Sequence, residues 1–435
     1  MSPSAYIVAF IAISLYYFQF HHTHLPPAYE GIFLPEFRPV AELFRSQVES
    51  GQEIGGTFAV YYKGRLVVDL WGGYADRQYD LQEWRNDTLT ITFSTTKGMV
   101  SILAAKMVDQ KLLDYNKLVS HYWPGFGCNG KENVTVEMLL HHAAGLAYLN
   151  KPFSMLELHH NPMKVEKVLE KEPPKWPPGT ATAYHALTFG AYVDRLLTNA
   201  DPKHRRIDQL FEEEIAQPFD IDFRIGLPKN LSYRGARFEP FGINEFLRNA
   251  IKTPSMWMLV IKLLLNPNNL LSKASNAVTS QITNDPYMRE IAISSVSGHG
   301  TARGMAKLYG ILANGGKLGN KQFLSQETIK SLTDPKMIGE SLNYGGKIKM
   351  GRGLYYSKNP MDEDVYGHPG YGGQMAFGDP IHNIGMAYLT NDLSAFGYGN
   401  DPKFLALQKE FYNCLSKIEK SKTSLGTQFD MLSAS

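Results

Sequence analysis

The sequence is short of several things, and each shortage excludes a class of protein. It has two cysteines, Cys128 and Cys414, in 435 residues, far too few for a disulfide framework. They could still pair with each other, since sequence does not fix their separation. No HExxH or paired-cysteine pattern occurs, so no metal or other cofactor is implied. Charge of one sign is not in excess. Lys plus Arg number 44 against 42 Asp plus Glu, a formal net charge of +2, which gives no basic face for nucleic acid. There is no internal repeat and no low-complexity block. Hydrophobic residues make up 43% and charged residues 20%, the balance of a globular chain rather than a disordered one. At about 150 residues per domain the length allows up to three domains, yet one large catalytic unit also fits it.

Long apolar runs are also scarce. Ala5 to Phe20, AYIVAFIAISLYYFQF, is the strongest. As a helix it would span about 24 Å, short of the ~30 Å hydrocarbon core. No Lys or Arg precedes it and no small-x-small cleavage site follows, which favours an uncleaved signal anchor over a cleaved signal peptide. Tyr16 and Tyr17 suit a membrane interface. A buried N-terminal helix is the plain alternative. The expected partner is then a membrane through the N-terminus, on the secretory route, or the protein is secreted if the segment is cleaved. Sequons at Asn86, Asn133 and Asn230 add little, because about three arise by chance in such a chain. Met256 to Leu265, MWMLVIKLLL, is too short to cross a bilayer and reads as a core helix, or else as a membrane-facing or substrate-covering one.

Along the rest of the chain, TFAVYYKGRLVVD (Thr57 to Asp69) is a hairpin turning at Lys63-Gly64. A short strand over Leu89 to Phe93 leads into a helix from Ser94 to Leu113 whose first half is apolar nearly all round, as a buried helix is. A Pro- and His-rich middle follows, then a helix over Ala186 to Leu197. Tyr366 to Thr390 alternates Gly-rich turns with apolar strands, and an amphipathic helix over Lys403 to Ile418 precedes a polar tail expected to be mobile. Strand signals therefore sit at both ends with helix between them. One antiparallel sheet built from both ends, with the middle as a helical lobe, is the economical arrangement.

The chemistry-bearing elements are three. In Ser94-Thr95-Thr96-Lys97 the serine and lysine share a helix face. Desolvation and the helix N-terminus both lower the Lys pKa, so a neutral amine could take the Ser proton. A lone S-x-x-K is weak, but Ser94 is the only serine with a Lys three residues on, and it opens the most apolar helix. Tyr184-His185-Ala186 offers a phenol that a nearby Lys could turn into a base or proton donor. Gly367-His368-Pro369-Gly370-Tyr371-Gly372-Gly373 offers backbone that a substrate can approach closely.

Together these segments resemble the serine β-lactamase-like proteins, which include class C β-lactamases, family VIII carboxylesterases and their animal relatives. FSTTKG (from Phe93), VTVEMLLHHAAGL (from Val134), WPPGTATAYHALTFG (from Trp176), GHGTARGMAKLYGILANGG (from Gly298) and GHPGYGGQMAFGDP (from Gly367) match that family's segments in order. The resemblance implies an α/β (α+β) fold of the β-lactamase/transpeptidase kind, a central antiparallel sheet flanked by helices plus an all-helical lobe. It divides the chain into an anchor and linker over residues 1–28, a catalytic unit over 29–420 and a tail over 421–435. It implies Ser94 as acylated nucleophile, Lys97 as its partner and Tyr184 as proton relay to the leaving group. His368, Gly370 and Tyr371 would line the substrate strand, with the Tyr371 N–H as an oxyanion donor beside that of Ser94. His142 matches a structural histidine. Where penicillin-active members carry Asn, this chain has Ala186, and His368 stands where they carry a fixed Lys cation. Both departures point to a small neutral acyl substrate and an ester or amide hydrolase. A peptidase or acyltransferase on the same acyl-enzyme, and a tethered non-catalytic scaffold, are the alternatives. Oligomeric state is not legible.

Overall fold

In the computed structural model the described residues are 28–78, 81–239, 270–275, 278–279, 284–337, 341–342, 348–394 and 399–433. The apolar segments 5–20 and 256–265 lie outside them. Among the described residues no helix is long and apolar enough to cross a membrane.

The elements that place the site are, in chain order, β1 (Tyr29–Phe33), α1 (Arg38–Glu49), β2 (Gly55–Tyr62), β3 (Arg65–Asp76), β4 (Thr90–Ile91), α2 (Thr95–Asp109), α3 (Pro162–Lys171), α4 (Thr188–Ala200), β5 (Phe223–Ile225), β6 (Gly298–Gly300), α5 (Ala302–Ala313), β7 (Lys336–Met337), β8 (Lys349–Met350), β9 (Tyr355–Lys358), β10 (Asp364–Pro369), β11 (Met375–Asp379), β12 (Ile384–Thr390) and α6 (Pro402–Ser433). The main sheet is antiparallel in the order β1-β3-β2-β12-β11-β10-β9-β8-β7. The hairpin β2–β3 turns at Lys63 and Gly64, both at positive φ (50° and 75°), which Gly accepts without strain. The β2–β12 pairing, with Ala59 opposite Ala387, joins the two ends of the chain in one sheet. That is the arrangement the distribution of strand signals calls for.

Side chains alternate across this sheet, as a period of two requires. Phe58 and Val60 of β2 pack with Phe44 of α1 and Phe404 and Phe411 of α6, while Ala59 faces the other core with α2 and α5. Small residues let α5 lie against the sheet backbone: a Cβ on Gly385 would sit 2.1 Å from Ala306 O. The β4–β6–β5 ribbon then hands the chain from the sheet side to the helical lobe, which holds α3 and α4. Helix α2 runs between the two and is buried on every side from Thr95 to Ala105. The closing helix extends to Ser433, so most of the polar tail continues α6 instead of leaving the helix at Ile418. Cys128 and Cys414 are both free thiols.

Candidate active site

Ser94 stands where β4 gives way to α2. Thr92 N–H bonds Gly298 O on β6 at 2.8 Å, which fixes the strand end, and Phe93 then turns at φ 45°. A left-handed Phe costs about 1–2 kcal/mol, and the strain lies one residue before the hydroxyl it aims. Ser94 is the N-cap of α2 with no side-chain cap bond, so its Oγ is not used to close the helix. The Ser94 N–H donates to no acceptor among the described residues.

One turn on, Lys97 is fully buried. Its Nζ lies 3.3 Å from Ser94 Oγ, 2.8 Å from Ala186 O and 2.9 Å from Ser295 O. Among the described residues its partners include no carboxylate, and burial drives the amine well below the ordinary lysine value. The Tyr184 ring centroid is 4.9 Å from the same nitrogen.

Strand β10 closes the site from the sheet side. Gly98 allows this approach, since a Cβ there would meet Tyr309 Oη at 2.3 Å and His368 Cβ at 3.0 Å. His368 is buried, and its Nδ1 lies 2.7 Å from Pro369 O. A carbonyl only accepts, so Nδ1 carries the proton and Nε2 is a bare acceptor. Burial pushes the imidazole down to about 3, and a proton on Lys97 would push it the same way, so it is neutral at physiological pH. His142 and His185 are likewise lowered, mainly by burial, His185 to about 4. The His142 ring packs edge-on to Tyr184 at 5.1 Å, and its Nδ1 accepts the His185 N–H at 3.2 Å, in keeping with a structural role.

The structure therefore gathers Ser94, Lys97, Tyr184 and His368 into one place. Gly370 and Tyr371 fall differently from expectation. Strand β10 ends at Pro369, so both lie in the turn beyond it. The Gly370 N–H is spent on Gln374 O at 2.8 Å. Gly370 is still needed for closeness: a Cβ would lie 2.5 Å from Thr92 O and Thr95 Oγ1, on either side of Ser94. Tyr371 is 44% exposed, so it stands at the mouth, edge-on to Phe93 at 5.4 Å.

A serine whose hydroxyl faces a buried lysine with its charge disfavoured, with a phenol over the amine and a sheet strand alongside, is a geometry that can support acyl transfer. The Beta-lactamase family model matches residues 40–409. The chain belongs to the beta-lactamase family. It is 31% identical to the esterase/beta-lactamase LipL of Mycobacterium tuberculosis over 367 residues, covering 82% of each. Among solved structures it is similar to a family VIII carboxylesterase, with 32% identity, TM-score 0.77, and 89% of this chain and 99% of that one covered. It is also similar to EstA from Arthrobacter nitroguajacolicus, with 27% identity, TM-score 0.74, and the same coverage. The fold read from the sequence is thus the fold of the beta-lactamase family.

Three participants carried no sequence signal. The carbonyls of Ala186 and Ser295 hold the Lys97 amine, and a backbone carbonyl has no residue signature. Tyr355 of β9 packs 5.0 Å from His368 and 6.3 Å from His142, one of 24 tyrosines with nothing to mark it out.

Proposed function

We propose that the protein is a serine hydrolase of carboxylesterase type that works through an acyl-enzyme on Ser94. The observation that carries this is the hydrogen bonding of Lys97. A neutral amine has two N–H bonds and one lone pair. Two carbonyls, at 2.8 and 2.9 Å, take the two N–H bonds, and the lone pair is left for the Ser94 hydroxyl. Lys97 accepts the Ser94 proton as Oγ attacks the ester carbonyl. The N–H groups of Ser94 and Tyr371 hold the oxyanion. The proton passes by way of Tyr184 to the leaving alkoxide. Water then attacks the acyl-enzyme, and the same groups act in reverse.

Neutral His368 favours uncharged substrates. An acceptor nitrogen in place of a fixed cation gives a carboxylate nothing to bind and adds lone-pair repulsion. That selects neutral esters over anionic lactams and over peptides ending in a carboxylate. The test is turnover of short-chain nitrophenyl esters by wild type, Ser94→Ala and Tyr184→Phe. The expected result is no turnover in Ser94→Ala and a fall of about 10²–10⁴ in Tyr184→Phe. Wild-type rates in a folded Ser94→Ala variant overturn the reading.

We also propose that residues 5–20 tether the protein to a membrane of the secretory route. The apolar run, its interfacial tyrosines and the missing cleavage site support this. Removal of residues 1–24 should move the protein from the membrane pellet to the soluble fraction. An unchanged distribution would contradict the tether.

A further inference from the structure

One of the carbonyls that hold Lys97 lies in a turn that an ionisable group grips. Ser295 lies in the turn 293–297, which packs on α4. Its Oγ donates to Leu187 O at 2.6 Å and accepts the Gly190 N–H at 2.6 Å. A Cβ on Gly190 would sit 2.5 Å from both Ser295 N and Oγ, so the contact needs glycine. One residue earlier, the Ser294 N–H donates to Asp194 Oδ2 at 3.1 Å. Gly190 and Asp194 are one helical turn apart, so α4 grips the turn at two points. Within the turn, Ser297 Oγ accepts the Ile293 N–H at 2.8 Å. Asp194 Oδ1 is buried with no hydrogen-bond partner among the described residues.

We propose that Asp194 is a positioning residue for the hydrolysis: through Ser294 and Ser295 it sets the carbonyl that orients the Lys97 amine, and its ionisation tightens that hold. The inference rests on Lys97 acting as the base. A carboxylate accepts the Ser294 N–H more strongly than a neutral carboxyl does. Burial pushes the Asp194 carboxyl up to about 7, opposed by the Ser294 backbone N–H. Asp208 adds to the rise, and Arg195, itself paired with Glu166, works against it. The group thus changes charge across neutral pH, inside the working range of an esterase.

The experiment is the pH profile of kcat for a neutral nitrophenyl ester between pH 5 and 9, in wild type, Asp194→Asn and Asp208→Asn. The amide keeps the size and the acceptor oxygen but cannot ionise. Wild type should show kcat rising through an inflection near neutrality. Asp194→Asn should lose that inflection and fall to about a tenth of the wild-type plateau, with KM within about twofold, as expected for one weakened positioning bond. Asp208→Asn leaves every contact of Asp194 in place and removes a like charge that raises its carboxyl, so its inflection should move downward. This second variant keeps the assignment open to refutation even if Asp194→Asn folds poorly. An Asp194→Asn profile with the wild-type shape and height overturns the proposal, as does an unmoved inflection in Asp208→Asn. Labelling of wild-type Ser94 by a fluorophosphonate is read separately. A labelled, active enzyme with an unaltered Asp194→Asn profile refutes the positioning role alone, whereas an unlabelled wild type refutes the hydrolase reading beneath it.

Discussion

Among the described residues two lysines are completely buried, and their surroundings predict opposite consequences of removing them. Lys131 directs its ammonium at three carbonyls, Cys128 O at 2.9 Å, Glu170 O at 2.7 Å and Glu172 O at 2.7 Å. Carboxylates of Glu132, Glu172 and Glu170 stand near enough to favour its charge, although burial lowers it overall. Three N–H bonds with three acceptors make a structural cation. Lys131→Met would leave three buried carbonyls without donors. At about 1–3 kcal/mol for each unsatisfied group before relaxation, the loss is about 3–5 kcal/mol. Lys97 has two carbonyls and a serine, and its charge is disfavoured from the start. Lys97→Met leaves two carbonyls without donors but also relieves the burial of an amine whose charge is disfavoured, so the loss should be about 1–3 kcal/mol, smaller than for Lys131→Met. Activity should divide the other way. Lys97→Met should lower kcat by about 10³ or more, the scale seen when a base that acts with a nucleophile is lost. Lys131→Met should keep wild-type kcat per folded molecule. Urea unfolding followed by tryptophan fluorescence reads the first quantity. Ester turnover normalised to folded protein reads the second. The reasoning fails if Lys97→Met is destabilised as much as Lys131→Met, or if it keeps more than a tenth of wild-type turnover.

Other outcomes follow from the same geometry. Gly98→Ala places a methyl between Tyr309 Oη and His368, and should cost about 1–3 kcal/mol in stability while lowering kcat, because β10 must move away from Ser94. Wild type should hydrolyse neutral short-chain esters at least about 100-fold more efficiently than a carboxylate-bearing chromogenic lactam; parity between the two would refute the role given to neutral His368. The raised Asp194 carboxyl also has a stability signature. Its folded value, about 7, lies above its unfolded value, so the native state binds the proton more tightly. Relative to Asp194→Asn, wild type should therefore be most stable below about pH 4 and lose that advantage as pH rises to about 7. Thermal melts of the two proteins across this range check the sign.

Much of this arrangement is legible in the sequence because the signals are local. Lys63-Gly64 marks the hairpin, and Ser94 and Lys97 are bound to one helix face by spacing alone. The apolar girdle of α2 announces its burial, and with it the lowered basicity of Lys97. His368 could be placed in the site by resemblance, but its charge state needed the Pro369 carbonyl and the buried ring. Other features depend on long-range packing. No pattern in the sequence links Asp194 to Ser294, a hundred residues away, or aims the Ser295 carbonyl at Lys97. Gly370 illustrates the reverse case. Its place in a Gly-rich motif suggests an open strand, yet the strand stops at Pro369 and the turn to Gln374 consumes its N–H. The helix beyond Ile418 was hidden by polar composition, which marks an exposed surface as readily as a loose tail.

The central claim is that Ser94 forms the acyl-enzyme. Intact-mass and peptide-mass analysis after brief exposure to a fluorophosphonate tests it most directly. A single adduct should appear on the peptide that contains Ser94, forming faster as pH rises towards 8, and it should be absent from Ser94→Ala and Lys97→Met. An adduct on another residue, or equal labelling of folded Ser94→Ala, would contradict the account.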